Sequence, residues 1–525
     1  MSNLNKDILL YIFEELFEDK NSLYSCLRVN RLWCETAVTI LWKDPWIFLN
    51  RTLTLKLQKR ANIFFNIIFL NLSEESRNYL LSEGIDIFKD LSLQKSPLFD
   101  YISFIKYIKN QYCYMTINGK NIYDILFKND YNDSQRFILE KEIYKLFVSK
   151  CSRIKYLDIT DFKHPLYKFP GSEKSLLELN ELNCRSDDDS ELFFGLAHIC
   201  KSIESIHILH NYSNDGLAKL IEMQQKLKYL KIDEPTYVSH NDKLSNCNIG
   251  QEIIKHAHNL IYLSIERDLE FFETLFSKLI NIQKLKLCGT SDKWISLNLD
   301  KHLEFVYSEL QVLNVSQITY SIAIEIIKKT TGSIQKIWAD SMHIRNLSLN
   351  SNTGHFIQCI SQFCPNLKYV RIALNDDYLD KLESLLTNCK LLEGLYIYKD
   401  KITFTTINMS LLQNQRSSTY NNINPSFTDK LLDKLIRFAP RTLYKIGINY
   451  CNFKITVLDR FFNHWKGRKT LHLYSIVDKD SNDCFYNLNY INEMKNLIEK
   501  YTNEGVIKKF QNCNFNDDKD FKWCY

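Results

Sequence analysis

Fifteen cysteines and twelve histidines are the residues from which this 525-residue chain could build metal or nucleophile chemistry. A structural zinc site nucleates on closely spaced thiolates and imidazoles, and no two cysteines here stand in a C-x-x-C pair. His256 and His258 flank one residue in "HAH" with no third ligand nearby in sequence, the pattern of a solvated helix end. The chain contains no H-E-x-x-H, no G-x-S-x-G and no glycine-rich phosphate loop. The expectation is therefore no catalytic residue, no metal and no cofactor. The sequon Asn71-Leu72-Ser73 is a chance match in an asparagine-rich chain.

The cysteines have a different regularity. Cys151, Cys200, Cys364 and Cys389 each stand three residues before an apolar position, and Ala257 and Pro440 hold the same slot elsewhere. A slot shared by cysteine, alanine and proline asks for a small buried side chain, not for thiol chemistry. The start "MSNLNKDILL" lacks the basic and long apolar parts of a secretory signal. The thiols are accordingly expected to be reduced, in the cytoplasm or the nucleus. The most apolar run, "ANIFFNIIFLNL" at 61–72, is too short to span a bilayer, so no membrane partner is expected.

The slots belong to a repeat. An apolar-x-x-apolar-x-apolar motif starts at 154, 179, 203, 227, 260, 282, 310, 334, 367, 392 and 443, as in "LKYLKI", "LIYLSI" and "LKYVRI", with a weaker version, "RKTLHL", at 468. Its alternating half predicts a short strand with one buried face, and segments such as "DKLESLLTNCK" predict a helix between strands. One strand and one helix per ~25 residues is an α/β solenoid. The 51-residue interval from 392 to 443 suggests a polar insertion near 401–427, rich in Ser, Asn and Gln, or else a degenerate repeat. Thirteen glycines and eight prolines in a chain that is 45% apolar argue against long disordered stretches. The 67 basic and 62 acidic residues are mixed along its length, without the basic stripe that nucleic acid would require.

Ahead of the repeats, Leu4, Ile8, Leu9, Ile12, Phe13 and Leu16 form one helical stripe. Leu23 to Trp33 and Thr36 to Trp42 follow as two further apolar-periodic stretches. Three helices in so few residues bury little by themselves, so the module is expected to dock its leftover apolar face on something else. Trp33 and Trp42 are expected in its core. Leu4, Ile8, Leu9, Ile12 and Phe13 serve either internal packing or a partner. Residues 47–150 read as a helical linker: Ser73 should cap one helix that Gly84 ends, and "KSPLFDYISFIKYI" should open another after Pro97.

At these residues the first 46 positions resemble an F-box: Leu4, Asp7, Ile12-Phe13, Leu16, Leu23, Val29, Trp33 and Leu41-Trp42 fit the pattern, with Asn5 where the family has proline. The repeats resemble leucine-rich repeats of the cysteine-containing subclass. The order of the two resembles F-box–leucine-rich-repeat proteins, in the style of the large fungal expansions of that family. The resemblance implies an F-box at 1–46, the linker at 47–150, a leucine-rich-repeat solenoid at 151–475 and a capping helix and tail at 476–525. It implies a non-catalytic substrate receptor of a Skp–cullin–F-box ubiquitin ligase. Leu4, Ile8, Leu9, Ile12, Phe13, Leu16 and Val29 would meet the Skp-type adaptor, and through it the cullin and RING subunits.

Side chains alternating with the buried ones point to the solenoid's inner face. Tyr229, Tyr262, Lys284, Lys286, Lys336, Trp338, Tyr369, Arg371, Tyr396 and Tyr398 are the expected contacts to a target protein, because Tyr, Trp and Arg carry much interface energy. Asp158, His207, Lys231 and Asp233 fall on the same face. Two other readings remain: an interaction scaffold outside any ligase, and a regulator of a small GTPase.

Overall fold

Strict alternation of buried and outward side chains makes a strand that can pair on both edges, and this motif recurs along the chain. The computed structural model describes residues 5–49, 55–87, 97–109, 131–160, 162–209, 213–233, 247–266, 272–289, 306–316, 318–340, 352–399, 425–449, 453–476 and 488–512. The chain is α/β, and it divides into two compact units, Met1–His256 and Ala257–Tyr525.

The first unit contains β1 (Tyr107–Ile108), β2 (Tyr156–Asp158), β3 (Glu181–Arg185), β4 (Ser205–Leu209) and β5 (Tyr229–Asp233), paired in parallel in chain order. The second contains β6 (Tyr262–Glu266), β7 (Lys284–Cys288), β8 (Val312–Ser316), β9 (Lys336–Asp340), β10 (Tyr369–Leu374), β11 (Gly394–Lys399), β12 (Lys445–Asn449), β13 (Leu471–Ile476) and β14 (Ile507–Asn512), again parallel and in order. Parallel neighbours need a crossover, and helices supply it. In the second unit the helices at 320–328, 353–363, 379–388, 425–438, 455–465 and 488–503 lie each against the next. Ile206 and Ile208 of β4, like Leu285 and Leu287 of β7, are fully buried, while His207 and Lys286 between them are half-exposed.

One hydrogen-bond device recurs from β1 to β5 and again from β6 to β12. The carbonyl just before each strand accepts from two successive N–H groups of the next: Lys155 from Asn180 and Glu181, Gln311 from Gln335 and Lys336, Lys368 from Glu393 and Gly394. The device begins earlier than the sequence suggests, because the Lys43 carbonyl accepts from Lys106 (2.9 Å) and Tyr107 (3.1 Å). Residues 47–150 are therefore not purely helical. "YISFIKYI" forms a 3-10 turn at 101–104 and then β1, which pairs with β2 and extends the array upstream of 151. Residues 476–525 also hold more than a cap helix, since β14 pairs with β13. β11 pairs directly with β12, so no further strand stands between them in the sheet; residues 400–424 lie outside the described residues.

The cysteine slot is a ladder. Cys151, Cys200, Cys364 and Cys389 are buried C-caps of their helices. The Cys200 thiol donates to the Leu176 carbonyl (3.4 Å) and Cys389 to that of Cys364 (3.5 Å). In the repeat between β4 and β5 the slot holds Gln224, whose amide donates to the Cys200 carbonyl (3.0 Å). These bonds satisfy helix-end carbonyls that would otherwise be buried without partners. Burial pushes the thiols of Cys151, Cys200 and Cys389 up to about 12.

At the N-terminus, α1 (Lys6–Glu15), α2 (Lys20–Cys26) and α3 (Arg31–Leu41) begin at side-chain caps from Asn5, Asp19 and Asn30. Asn5 thus starts the first helix by accepting from the Asp7 N–H. Leu9, Phe13, Leu23, Ala37 and Ile40 form the core of the bundle. Trp33 packs edge-on against Phe13 at 5.3 Å. Trp42 packs against this core and also lies on Tyr101 at 4.5 Å, and the Trp46 indole donates to the Tyr107 carbonyl at 2.7 Å. They fasten the bundle to the array. Ser73 caps the helix at 74–82, and Gly84 with φ +74° follows it, as the sequence predicts. Among the described residues no helix is long and apolar enough to cross a membrane.

Candidate interaction surfaces

The first surface is the outer side of α1. A helix turns 100° per residue, so residues at 8, 11 and 12 share a face that 9 and 13 do not. Ile8 is 48% exposed, Tyr11 75% and Ile12 43%, and Val29 after α2 is 55% exposed. Four large apolar side chains left on one small bundle exceed what its own packing can use. Two expected contacts change role: Leu9 and Phe13 are fully buried in the bundle core, because they lie on the inward side of the same helix. Leu16 is half-buried against that core, and Leu4 lies outside the described residues. Tyr11 was not anticipated, although its position three residues after Ile8 carries the signal.

The bundle is held in place behind this face. Lys43 Nζ pairs with Glu14 at 2.5 Å, and the buried Asp44 pairs with Lys109 of the segment after β1 at 2.5 Å. Phe17 stacks on Tyr107 at 6.3 Å, and Tyr107 on Tyr156 at 5.8 Å. The aromatic row therefore runs from the turn after α1 into the sheet.

The second surface is the strand face away from the helices. In the first unit Tyr229 is 40% exposed. Beside it, His207 Nε2 lies 2.8 Å from Asp233 Oδ2, and Lys231 pairs with the same carboxylate. Burial alone would raise the Asp233 carboxyl, but the bonds from His207 and Lys231 outweigh it and hold it below the usual range. Asp158, expected on this face, is buried and accepts from the Thr160 hydroxyl at 2.6 Å and its N–H at 3.1 Å.

In the second unit the face changes character along the array. Tyr262 is half-exposed, Lys284 is exposed, and Lys286 pairs with Glu266 at 3.2 Å. Lys336 lies 5.7 Å from the Tyr369 ring centroid, and the Tyr369 hydroxyl donates to Glu393 at 2.8 Å. Tyr369 leans over Gly394, where an added Cβ would stand 2.5 Å from the ring. Burial, then the neighbouring Tyr444 and Glu393, push the Tyr369 hydroxyl up.

Trp338, Arg371, Tyr396 and Tyr398 do not present themselves as the sequence predicts. They are buried, at 6%, 1%, 1% and 0% exposure, and cluster with Ala373 and Tyr474. The Arg371 guanidinium lies 4.4 Å from the Trp338 ring centroid, 5.0 Å from that of Tyr396 and 5.2 Å from that of Tyr398. Stacked cation–π contacts of this kind draw rings and guanidinium together. Register explains how they fit: Arg371 is opposite both Trp338 and Tyr396, and Gly447, opposite Tyr396 and Tyr474, has no side chain to hold the rings apart. The Tyr398 hydroxyl lies 3.1 Å from that of Tyr320. Period-two alternation assigns a residue to a face but cannot say whether its neighbours close over it.

Among the described residues, no group of three or more His, Cys, Asp or Glu is placed to hold a metal ion. No family model matches the chain, and no curated protein matches it.

Proposed function

We propose that the chain is the target-recognition subunit of a Skp–cullin–F-box ubiquitin ligase, with an F-box at its N-terminus and leucine-rich repeats behind it. The observation that carries this reading is the row Ile8, Tyr11 and Ile12 with Val29, exposed on a bundle whose core is otherwise complete. A Skp-type adaptor would cover that row and link the chain to the cullin and RING subunits. The target protein would lie on the strand face, against Tyr229 in the first unit and Tyr262, Lys284, Lys286, Lys336 and Tyr369 in the second. Trp338, Arg371, Tyr396 and Tyr398 are buried and would support this face from within without touching the target.

The chain would supply proximity and no chemistry of its own. Ubiquitin transfer is accelerated when target lysines are held near the thioester, which raises their effective concentration. A rigid join favours this role, and the bonds from Lys43, Asp44 and Trp46 to the segment 106–109 support one. The test is co-purification of the full chain with a Skp-type adaptor. Wild type should form a stable complex, and Ile8→Asp combined with Ile12→Asp should weaken it by at least about 100-fold, the scale of losing interface anchors. A scaffold acting outside any ligase, or a small-GTPase regulator, predicts no complex with the adaptor, and that outcome would overturn the proposal.

A further inference from the structure

In the first unit the loops leaving β2 and β3 enclose a cavity of about 280 Å³, at the carboxyl ends of the strands where open α/β sheets bind ligands. One wall is apolar: Phe162, Pro165, Tyr167 and Leu192. Tyr167 is seated on the helix at 190–199, where a Cβ on Gly195 would come within 2.1 Å of its ring. Only glycine lets the wall approach so closely.

His164 lines the same cavity and is 1% exposed. Its ring lies between Phe137 (4.2 Å) and Phe162 (5.1 Å). Nε2 is 3.4 Å from Glu140 Oε2, and neither ring nitrogen has a hydrogen-bond partner. Buried polar groups without protein partners are rare in native proteins, and they pair with water, an ion or a ligand or sit in a strained site.

The mouth carries both signs of charge. Lys163 and Lys168 are exposed on one loop, and Asp189 and Glu191 on the other. Asp189 caps its helix by accepting from the Glu191 N–H at 3.0 Å, and Lys168 Nζ lies 5.3 Å from the Tyr167 ring. A simple anion would meet the two carboxylates, and a simple cation the two ammonium groups. A neutral apolar molecule would leave His164 unpaired. A zwitterion satisfies all three, and the small volume suits one of modest size.

We propose that this cavity binds a free α-amino acid with an apolar side chain. Its ammonium group lies towards Asp189 and Glu191 and donates to His164, its carboxylate lies towards Lys163 and Lys168, and its side chain rests on Tyr167 and Leu192. The experiment is calorimetric titration of the full-length chain with L-leucine and L-phenylalanine. Leucinamide, 4-methylpentanoate and inorganic phosphate are the comparison ligands. At least one amino acid should bind, with leucinamide and 4-methylpentanoate each about tenfold weaker or worse and phosphate showing no heat. His164→Phe keeps the aromatic stack and should retain the melting temperature while losing the ligand. Lys168→Gln and Glu191→Gln, on the exposed rim, should each weaken binding by about tenfold and decide the matter if His164→Phe fails to fold. The proposal is overturned if neither amino acid binds, if a singly charged analogue or phosphate binds as tightly, or if a folded His164→Phe or both rim variants keep wild-type affinity.

Discussion

Ile12 and Phe13 are adjacent and apolar, and only their angular positions on α1 distinguish what they do. Ile12 is 43% exposed, while Phe13 is 1% exposed against Trp33 and Leu23. Ile12→Asp should change stability by no more than about 0.5 kcal/mol, as surface substitutions do, and still weaken adaptor capture. Phe13→Asp should cost about 3–5 kcal/mol or more by placing a carboxylate in a core. Thermal melting and co-purification of the two variants side by side separate docking from folding. Equal loss of adaptor by both variants with both folded would contradict the assignment. The ladder thiols allow another check at this scale. With burial pushing Cys151, Cys200 and Cys389 up to about 12, they stay protonated and enclosed. At about pH 8 iodoacetamide should modify them only after denaturation, as mapped by mass spectrometry, since thiolate and access are both required. Rapid labelling of the native chain would refute the buried ladder.

At the scale of the element, each helix ends in a slot that must satisfy the carbonyl of the turn beneath it. The thiols of Cys151, Cys200 and Cys389 do this in three places, and Gln224 does it with more bonds: its amide donates to Cys200 O and Leu220 O and accepts from the Ile203 N–H at 2.9 Å. Gln224→Leu should leave two carbonyls and one N–H without that partner, at a cost of about 1–3 kcal/mol in urea unfolding. Cys200→Ala loses only a weak S–H donor and little volume, so it should cost less. If the order were reversed, the slot would be governed by volume and not by hydrogen bonding.

At the scale of the whole molecule, the helices of the second unit carry a directional set of ion pairs. Lys434 reaches Asp380 and Glu383 of the preceding helix, Lys454 and Arg460 reach Asp429 and Asp433, and Lys500 reaches Asp459. Exposed pairs contribute little singly, about 0.2–1 kcal/mol, and salt screens them. Raising salt from about 0.05 M to about 1 M should lower the melting temperature by a few degrees, with Lys434→Ala abolishing part of the dependence. A salt-independent midpoint would show that packing alone sets the stacking. The join at Lys43 also governs how function should be probed. Deleting residues 1–46 would strip Trp42 and Trp46 from Phe64, Tyr101 and Tyr107, so a target search by proximity labelling should compare wild type with Ile12→Asp.

The twelve motifs starting from 154 to 468 became β2 to β13, because period-two burial and regular spacing are properties of the chain itself. The cysteine slot was legible for the same reason: it recurs at a constant offset from a recurring strand. β1 and β14 were not, since a two-residue strand has no period to read and Ile507–Asn512 alternates weakly. Periodicity likewise placed Ile8 and Ile12 on a stripe without dividing it into inner and outer halves, a division made only when α3 packs across α1. The burial of Trp338, Arg371, Tyr396 and Tyr398 needed side chains from four strands to meet, with Gly447 leaving them room. The cavity beside His164 needed two loops to close on one another. What the order of residues determined by itself was each local choice of strand, helix and face. Which faces stay exposed was decided by tertiary contact, because exposure depends on residues distant in sequence that no local pattern records.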